Sequence, residues 1–369
     1  MAAAGVSYRT GRESNDEFGE LHNGFTGTRH GNQVTVKIDP YVVPGDPKSG
    51  LIRGITNPDP EASNTPLGTG DYRFQAYCYR LCLTNEEANR ISIAKPEGYD
   101  ERDFEIVLRA AEAGKKARYF KTSPIPNRKT DSNNASGVSM DYIGANFGVR
   151  ENGESWNWAT LTHEERDTLA EEHAYWQLGL IWTIQNHPRV PESIRNQWSM
   201  WGLCKDEFVE NTGIPYNLYV REARRMASPF VMTEAHCRNE APIEDSIALG
   251  AYTMDSHNVQ RLVHEGYVRN EGDIQKPLRA TGPYPISYRA IVPPREECTN
   301  LLVPWSLSST HIAFGSIRME PVFMCLGQAA ATAAVHAIED GIPVQEVSYE
   351  KLRSRLIQDD ARLEIEKKE

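Results

Sequence analysis

HIAFGSIRMEP, residues 311–321, is the stretch on which the reading of this chain turns. Gly315 reads as a turn, and Pro321 has the fixed φ and missing N–H that suit the first turn of a helix. The segment that follows, PVFMCLGQAAATAAVHAIEDG (residues 321–341), reads as that helix and stops at Gly341. Gly327, Ala330, Ala331 and Ala334 give it a face of small residues, which lets a helix backbone lie close to a sheet or to a flat ligand. Just upstream, NLLVPW (residues 300–305) is a short apolar run bounded by turns, the pattern of a central parallel strand. Strand, polar loop and helix form one unit, and the N-terminus of such a helix offers open N–H groups and partial positive charge.

Working outward, residues 73–84 alternate. Tyr77, Tyr79, Leu81 and Leu83 fall on one face and Ala76, Cys78, Arg80 and Cys82 on the other, a strand signal. Arg80 on the tighter face then needs a buried partner or a ligand. Residues 162–186 carry the strongest helix pattern: Thr162 and Glu165 form a capping box, and Pro188 prevents continuation. Trp176, Leu180 and Ile184 in it are spaced as a buried stripe, which reads as core rather than cofactor contact. Residues 99–114 predict a second helix with Asp100 as N-cap and Gly114 as its stop. Residues 218–226 and 229–235 read as short strands or strand–turn pieces, and residues 1–70 are rich in turn formers. The expected division is 1–70, 71–290 and 291–369.

The 369 residues hold 40 basic and 51 acidic side chains, a net charge of -11. Such a surface repels phosphate backbones, which argues against nucleic acid but leaves room for a local basic pocket receiving one small anion. No run approaches the ~20 apolar residues of a membrane span; the longest is cut by Gly327, Gln328 and Thr332. The N-terminus lacks the basic-then-apolar pattern of an export leader, so the default expectation is a cytoplasmic chain, although a longer parent protein is free to be exported. The six cysteines are scattered without a CxxC pair. That predicts no metal or iron–sulfur site, and free buried thiols in a reducing compartment.

Four groups are candidates for chemistry. Two readings of Gly315, Ser316, Ile317, Arg318 and Met319 stand level. In one, the amides near Ile317 and Arg318 bond the carbonyls of a flavin ring and Arg318 balances the charge of its reduced form. In the other, this is an ordinary crossover with a surface arginine. In MDSHN (residues 254–258), Asp255 either orients His257 as a base for a substrate hydroxyl or caps a simple turn with Asn258; spacing alone favours the turn. Tyr288 and Arg289 line a polar pocket or form the outer face of a strand. Arg221, Arg224 and Arg225 receive a carboxylate or sugar acid, or form a solvated face paired to Glu222.

Together, GVSYRTGRESNDEFGE, DPYVVPGDPKSG, KTDSNN, LYVREARRM, MDSHNVQR, YPISYRAIVP and HIAFGSIRMEPVFMCLGQAAATAA resemble the FAD-dependent oxidoreductases often labelled xanthan-lyase-like, distantly related to flavin subunits of heterodisulfide reductase. The resemblance spans residues 5–356, nearly the whole chain. It implies an α/β architecture: an incomplete FAD-binding, glutathione-reductase-like fold with an inserted, largely β substrate region. It also implies that Gly315 to Glu320 approach the flavin ring, that His257, Asn258 and His311 lie on the substrate side, and that Tyr288, Arg289 and Arg221 contact substrate. Family members open with a βαβ unit whose GxGxxG turn takes the FAD pyrophosphate. Here GTGDYR (residues 68–73) has the first two glycines and not the third, and it follows no apolar strand. The expectation is therefore that this half of the cradle is missing from the chain.

The resulting expectation is hydride transfer to FAD from a small, carbohydrate-like molecule, a sugar or polyol, with His257 as base. Two alternatives remain. The chain is a non-catalytic or split fragment, needing a separate chain with the Rossmann half or a homo-oligomer. Or it is a polysaccharide lyase using Arg221, Arg225, Tyr288 and His257.

Overall fold

The computed structural model describes residues 1–28, 31–57, 62–278 and 282–365. Helix and sheet are mixed through the chain. All ladders between the strands described are antiparallel, the largest being one five-stranded sheet. A single isolated bridge, Met232 with Ser309, runs parallel.

The first apolar core gathers around helix His163–Asn186. Its capping box forms as its spacing predicts: the Thr162 hydroxyl accepts from the Glu165 amide at 3.2 Å and the Glu165 carboxylate accepts from the Thr162 amide at 2.7 Å. Trp176, Leu180 and Ile184 are buried, as a core stripe should be. Gly179 on the same helix lets Phe104 lie directly on its backbone. The segment 99–114 divides into a 3-10 turn, Glu101–Phe104, and helix Glu105–Glu112, with Asp100 capping the turn. The five-stranded sheet covers this core with strands in the order Arg90–Ile91, Gly202–Cys204, Leu81–Thr84, Lys129–Ser132 and Ser123–Ile125. Only the end of the alternating run 73–84 is ladder; residues before it take part in single contacts, such as the bridge between Cys78 and Tyr219.

The second core gathers around helix Glu320–Asp340, which packs on the ribbon Ser246–Gly250 with Tyr284–Ser287 and on helix Tyr349–Gln358. Pro321 lies in its first turn and Gly341 closes it with φ 66°, as the sequence predicts. This helix is long and apolar enough, by length and composition alone, to cross a membrane, which corrects the reading that no run qualifies. In the fold one side is buried through Val322, Leu326, Ala329, Ala330, Ala333 and Ala337.

Two local expectations fail. Residues 300–305 form no strand; Val303 is held by a single bond from its amide to the Ile291 carbonyl. Residues 311–317 are not a turn but a helix, His311–Ile317, buried along its whole length. Tertiary packing accounts for the second failure. Gly315 lies against the backbone of Asp255, where an added Cβ would come within 2.5 Å of the carbonyl oxygen. The glycine is required by close approach of two backbones, not by a turn.

Candidate functional site

A cavity of about 260 Å³ opens where the two cores meet. Arg80, Lys121 and Asn133 line it from the sheet side, and Tyr219, Arg221, Tyr252, Asp255, His257, Arg318, Met319 and Glu320 from the other. Asp255 is placed by the strand Met254–Ser256, which pairs with Ile274–Lys276 and sets Asp255 opposite Gln275. The Gln275 amide donates to the Asp255 carboxylate. His257 follows immediately and is fixed through its backbone, whose amide donates to the Gln75 side chain at 3.0 Å.

His257 is the focus of the charges. Its Nδ1 lies 2.6 Å from Asp141 and its Nε2 3.5 Å from Asp255. The first is a charge-assisted hydrogen bond and the second an ion pair, and both His257 and Asp255 line the cavity. The imidazole retains 14% exposure. Asp141 also accepts from Arg221 at 3.0 Å, and Asp255 from Arg318 at 2.6 Å. Burial and Arg221 disfavour the imidazolium, but Asp141 and Asp255 outweigh them and hold His257 above the usual histidine range. Burial would raise the two carboxyls, yet Arg221 and His257 bring Asp141 down to about 2, and His257 and Arg318 depress Asp255. Tyr219 braces the arginines: the guanidinium groups of Arg80 and Arg221 lie 5.1 and 5.3 Å from its ring centroid.

Arg80, expected to need a partner, has one in Asp131 and keeps part of its surface open to the cavity. Arg221 is buried against Asp141, the Ala76 carbonyl and Cys78 rather than solvated beside Glu222. Arg224 donates to the Ala159 carbonyl, and Arg225 is buried between Glu13 and Glu222 at 2.6 and 2.8 Å. The three arginines thus serve three separate places.

The other sequence candidates divide. Arg318, Met319 and Glu320 line the cavity. Gly315, Ser316 and Ile317 lie in the buried helix behind it, Ser316 bonded to the Tyr284 hydroxyl and the Tyr252 carbonyl. His311 is buried one layer deeper: Nδ1 meets Glu222 at 2.7 Å and Nε2 meets Ser256 at 3.0 Å, so both ring nitrogens are engaged. Asn258 is fully buried, and its backbone carbonyl accepts from the Ala76 amide at 2.9 Å. Tyr288 and Arg289 line a different cavity, with the tyrosine hydroxyl on the Val344 carbonyl and the arginine on Asp245. Asp141 was not a sequence candidate. It lies 116 residues from His257, in a Ser-rich loop with no motif around it.

The family model described as FAD dependent oxidoreductase matches residues 1–356. The chain belongs to that family. Neither the curated proteins nor the solved structures give a match. This family member is an oxidoreductase whose cofactor is FAD.

The cavity can be tested against that cofactor. At about 260 Å³ it is below the ~300–1,000 Å³ of pockets for drug-sized ligands, so it suits one end of FAD or a small substrate, not the whole dinucleotide. Among the described residues, Arg221 Nε and Arg318 Nε are buried without a hydrogen-bond partner. Beside them helix Glu320–Asp340 starts without a side-chain cap. These donors fit the carbonyl edge of a flavin ring. The pyrophosphate has no comparable cradle in GTGDYR. Gly68 is packed against Asn15, and Gly70 against the backbone of Ser14 and Arg12, so both glycines serve local packing. Among the described residues no group of three or more His, Cys, Asp or Glu is arranged for a metal.

Proposed function

We propose that the cavity in front of His257 is where a sugar- or polyol-like hydroxyl is oxidised. The observation that carries this reading is the His257 pairing: Asp141 takes Nδ1 at 2.6 Å in a residue that lines the cavity, so Nε2 is the nitrogen we assign to substrate. With Nδ1–H held, the lone pair of the neutral ring resides on Nε2, the atom that would accept the hydroxyl proton. Because His257 is raised, the neutral ring dominates only toward higher pH, and turnover should rise with pH through its midpoint. Asp255 and Asp141 then stabilise the imidazolium that forms. Arg80 and Lys121 at the mouth orient the hydroxyl-rich substrate. Arg318, Met319 and Glu320, with the start of their helix, would hold the flavin ring. Bound FAD supplies the acceptor for the hydride leaving the substrate carbon.

The stretches quoted above support a xanthan-lyase-like branch of the family, for which we propose a glutathione-reductase-like cofactor fold. Its phosphate-binding half would be furnished by a Rossmann-type unit additional to the residues described, in the same protein or in a separate chain. The outer side of helix Glu320–Asp340 supports this: Met324 is 74% and Ile338 80% exposed, Val335 is also open, and so is Trp305, which stacks on Phe323 of the helix. The test is anaerobic mixing of FAD-loaded protein with a panel of sugars and polyols. Loss of the oxidised-flavin absorbance with at least one of them is expected. A panel that leaves the flavin oxidised, while dithionite reduces it, would contradict the substrate class.

A further inference from the structure

Strand Leu81–Thr84 pairs antiparallel with Gly202–Cys204 in the register Leu83 to Leu203 and Thr84 to Gly202. One more step sets Cys82 directly opposite Cys204, so both side chains leave the sheet on one face. Their sulfurs are 3.8 Å apart. A disulfide needs ~2.0 Å, and side-chain rotation on fixed neighbouring strands can supply the difference without a change of register. Cys82 is 8% exposed while Cys204 is fully buried, so a small oxidant meets Cys82 first.

We propose that Cys82 and Cys204 are a redox-active pair that closes to a disulfide when a peroxide reaches Cys82. The Cys82 thiolate attacks one peroxide oxygen; the O–O bond breaks, hydroxide leaves and takes up the proton the Cys82 thiol had released, as water, and a sulfenic acid remains. The Cys204 sulfur then attacks the Cys82 sulfur; the S–O bond breaks and hydroxide leaves, taking the Cys204 proton as water. Two thiols and one hydrogen peroxide give one disulfide and two waters.

The surroundings set the pace. Burial and the adjoining Cys82 thiol hold Cys204 up at about 12, and burial also raises Cys82. Closure is therefore slower than at an activated, low-pKa thiolate. The cross-link would join strands 122 residues apart in sequence and so add to the stability of the sheet. It would form on the sheet face that also bears Asp131, paired across from Cys82 and holding Arg80 at the cavity mouth. Cys78, Cys237, Cys298 and Cys325 lie in other surroundings; Cys78, for example, is against Arg221.

The test uses the full chain carrying Cys298→Ser and Cys325→Ser, which removes the two least buried thiols. The protein is incubated with hydrogen peroxide, quenched, alkylated under denaturing conditions and mapped by mass spectrometry without reduction. The expected result is loss of two alkylatable thiols, a peptide containing Cys82 joined to one containing Cys204, and return of both thiols with dithiothreitol. The midpoint of thermal unfolding should rise by a few degrees and fall back on reduction. Adding Cys204→Ser should leave oxidised Cys82 without a cross-link. A protein already cross-linked there as isolated carries the same conclusion. Four alkylatable thiols after prolonged oxidation, over-oxidised Cys82 beside a free Cys204 thiol, or cross-linking to Cys78 or Cys237 would each overturn the proposal. All these readouts are independent of FAD and of turnover.

Discussion

Replacing Asp141 with asparagine removes one negative charge and little volume from the point where Arg221 and His257 converge. Asp141 contacts His257 at 2.6 Å and Arg221 at 3.0 Å, and its side chain is 1% exposed. Two unit charges about 4 Å apart interact by roughly 4 kcal/mol at an effective dielectric near 20, and one pKa unit is about 1.4 kcal/mol. Asp141 is therefore a leading cause of the raised His257, together with Asp255. Burial remains, Arg221 still opposes the imidazolium and Asp255 still supports it, so the His257 midpoint should fall in Asp141→Asn. The sign of the stability change follows. A raised histidine contributes stability fully present below its unfolded pKa and lost as pH rises through the folded value. The depressed Asp141 contributes stability present above the ordinary carboxyl range and lost as pH falls through about 2. The variant loses both terms and leaves Arg221 buried without its carboxylate, a cost of about 3–5 kcal/mol. The measurement is an NMR titration of the histidine ring protons well below the unfolding temperature, with His257 identified by loss of its signal in His257→Gln. A His257 midpoint that stays or rises in Asp141→Asn would refute the electrostatic account of this site.

Three other outcomes follow from the same structure. Gly315→Ala puts a methyl group 2.5 Å from the Asp255 carbonyl oxygen; it should destabilise the fold by about 1–3 kcal/mol in denaturant titration and lower turnover by displacing Asp255 and His257. Arg261 is fully buried over the Trp176 ring, with Nε and both Nη atoms lacking hydrogen-bond partners among the described residues; Arg261→Met should be neutral or stabilise by about 1–3 kcal/mol in the same assay. Arg289→Ala removes the pair with Asp245 beside a different cavity and should change kcat/KM less than about twofold, whereas loss comparable to a site variant would place that cavity in the reaction.

The sequence was most readable where function is local. Thr162 and Glu165 cap a helix through contacts three residues apart, and Pro321 and Gly341 bound another by their own backbone preferences. Asp255 and His257 lie in one motif, and the structure brings both to the cavity. The unread part is long-range. Asp141 reaches His257 across 116 residues, and Arg80 enters the cavity from a different core, so no spacing rule connects them. Gly315 misled because a glycine in a helix, excused by contact with another backbone, has the same letter as a glycine in a turn. His311 stands in the same position: the resemblance implied the substrate side, and burial against Glu222 and Ser256 gives it partners visible only in three dimensions.

Oxidation in this cavity depends most on His257 taking a proton while the cofactor site beside it stays intact. Single-turnover reduction of FAD-loaded protein, followed anaerobically by its visible absorbance, tests this directly. His257→Ala should retain the colour of bound flavin and slow its reduction by substrate about 10²–10⁴-fold. Equal rates in the two proteins at saturating substrate would contradict it.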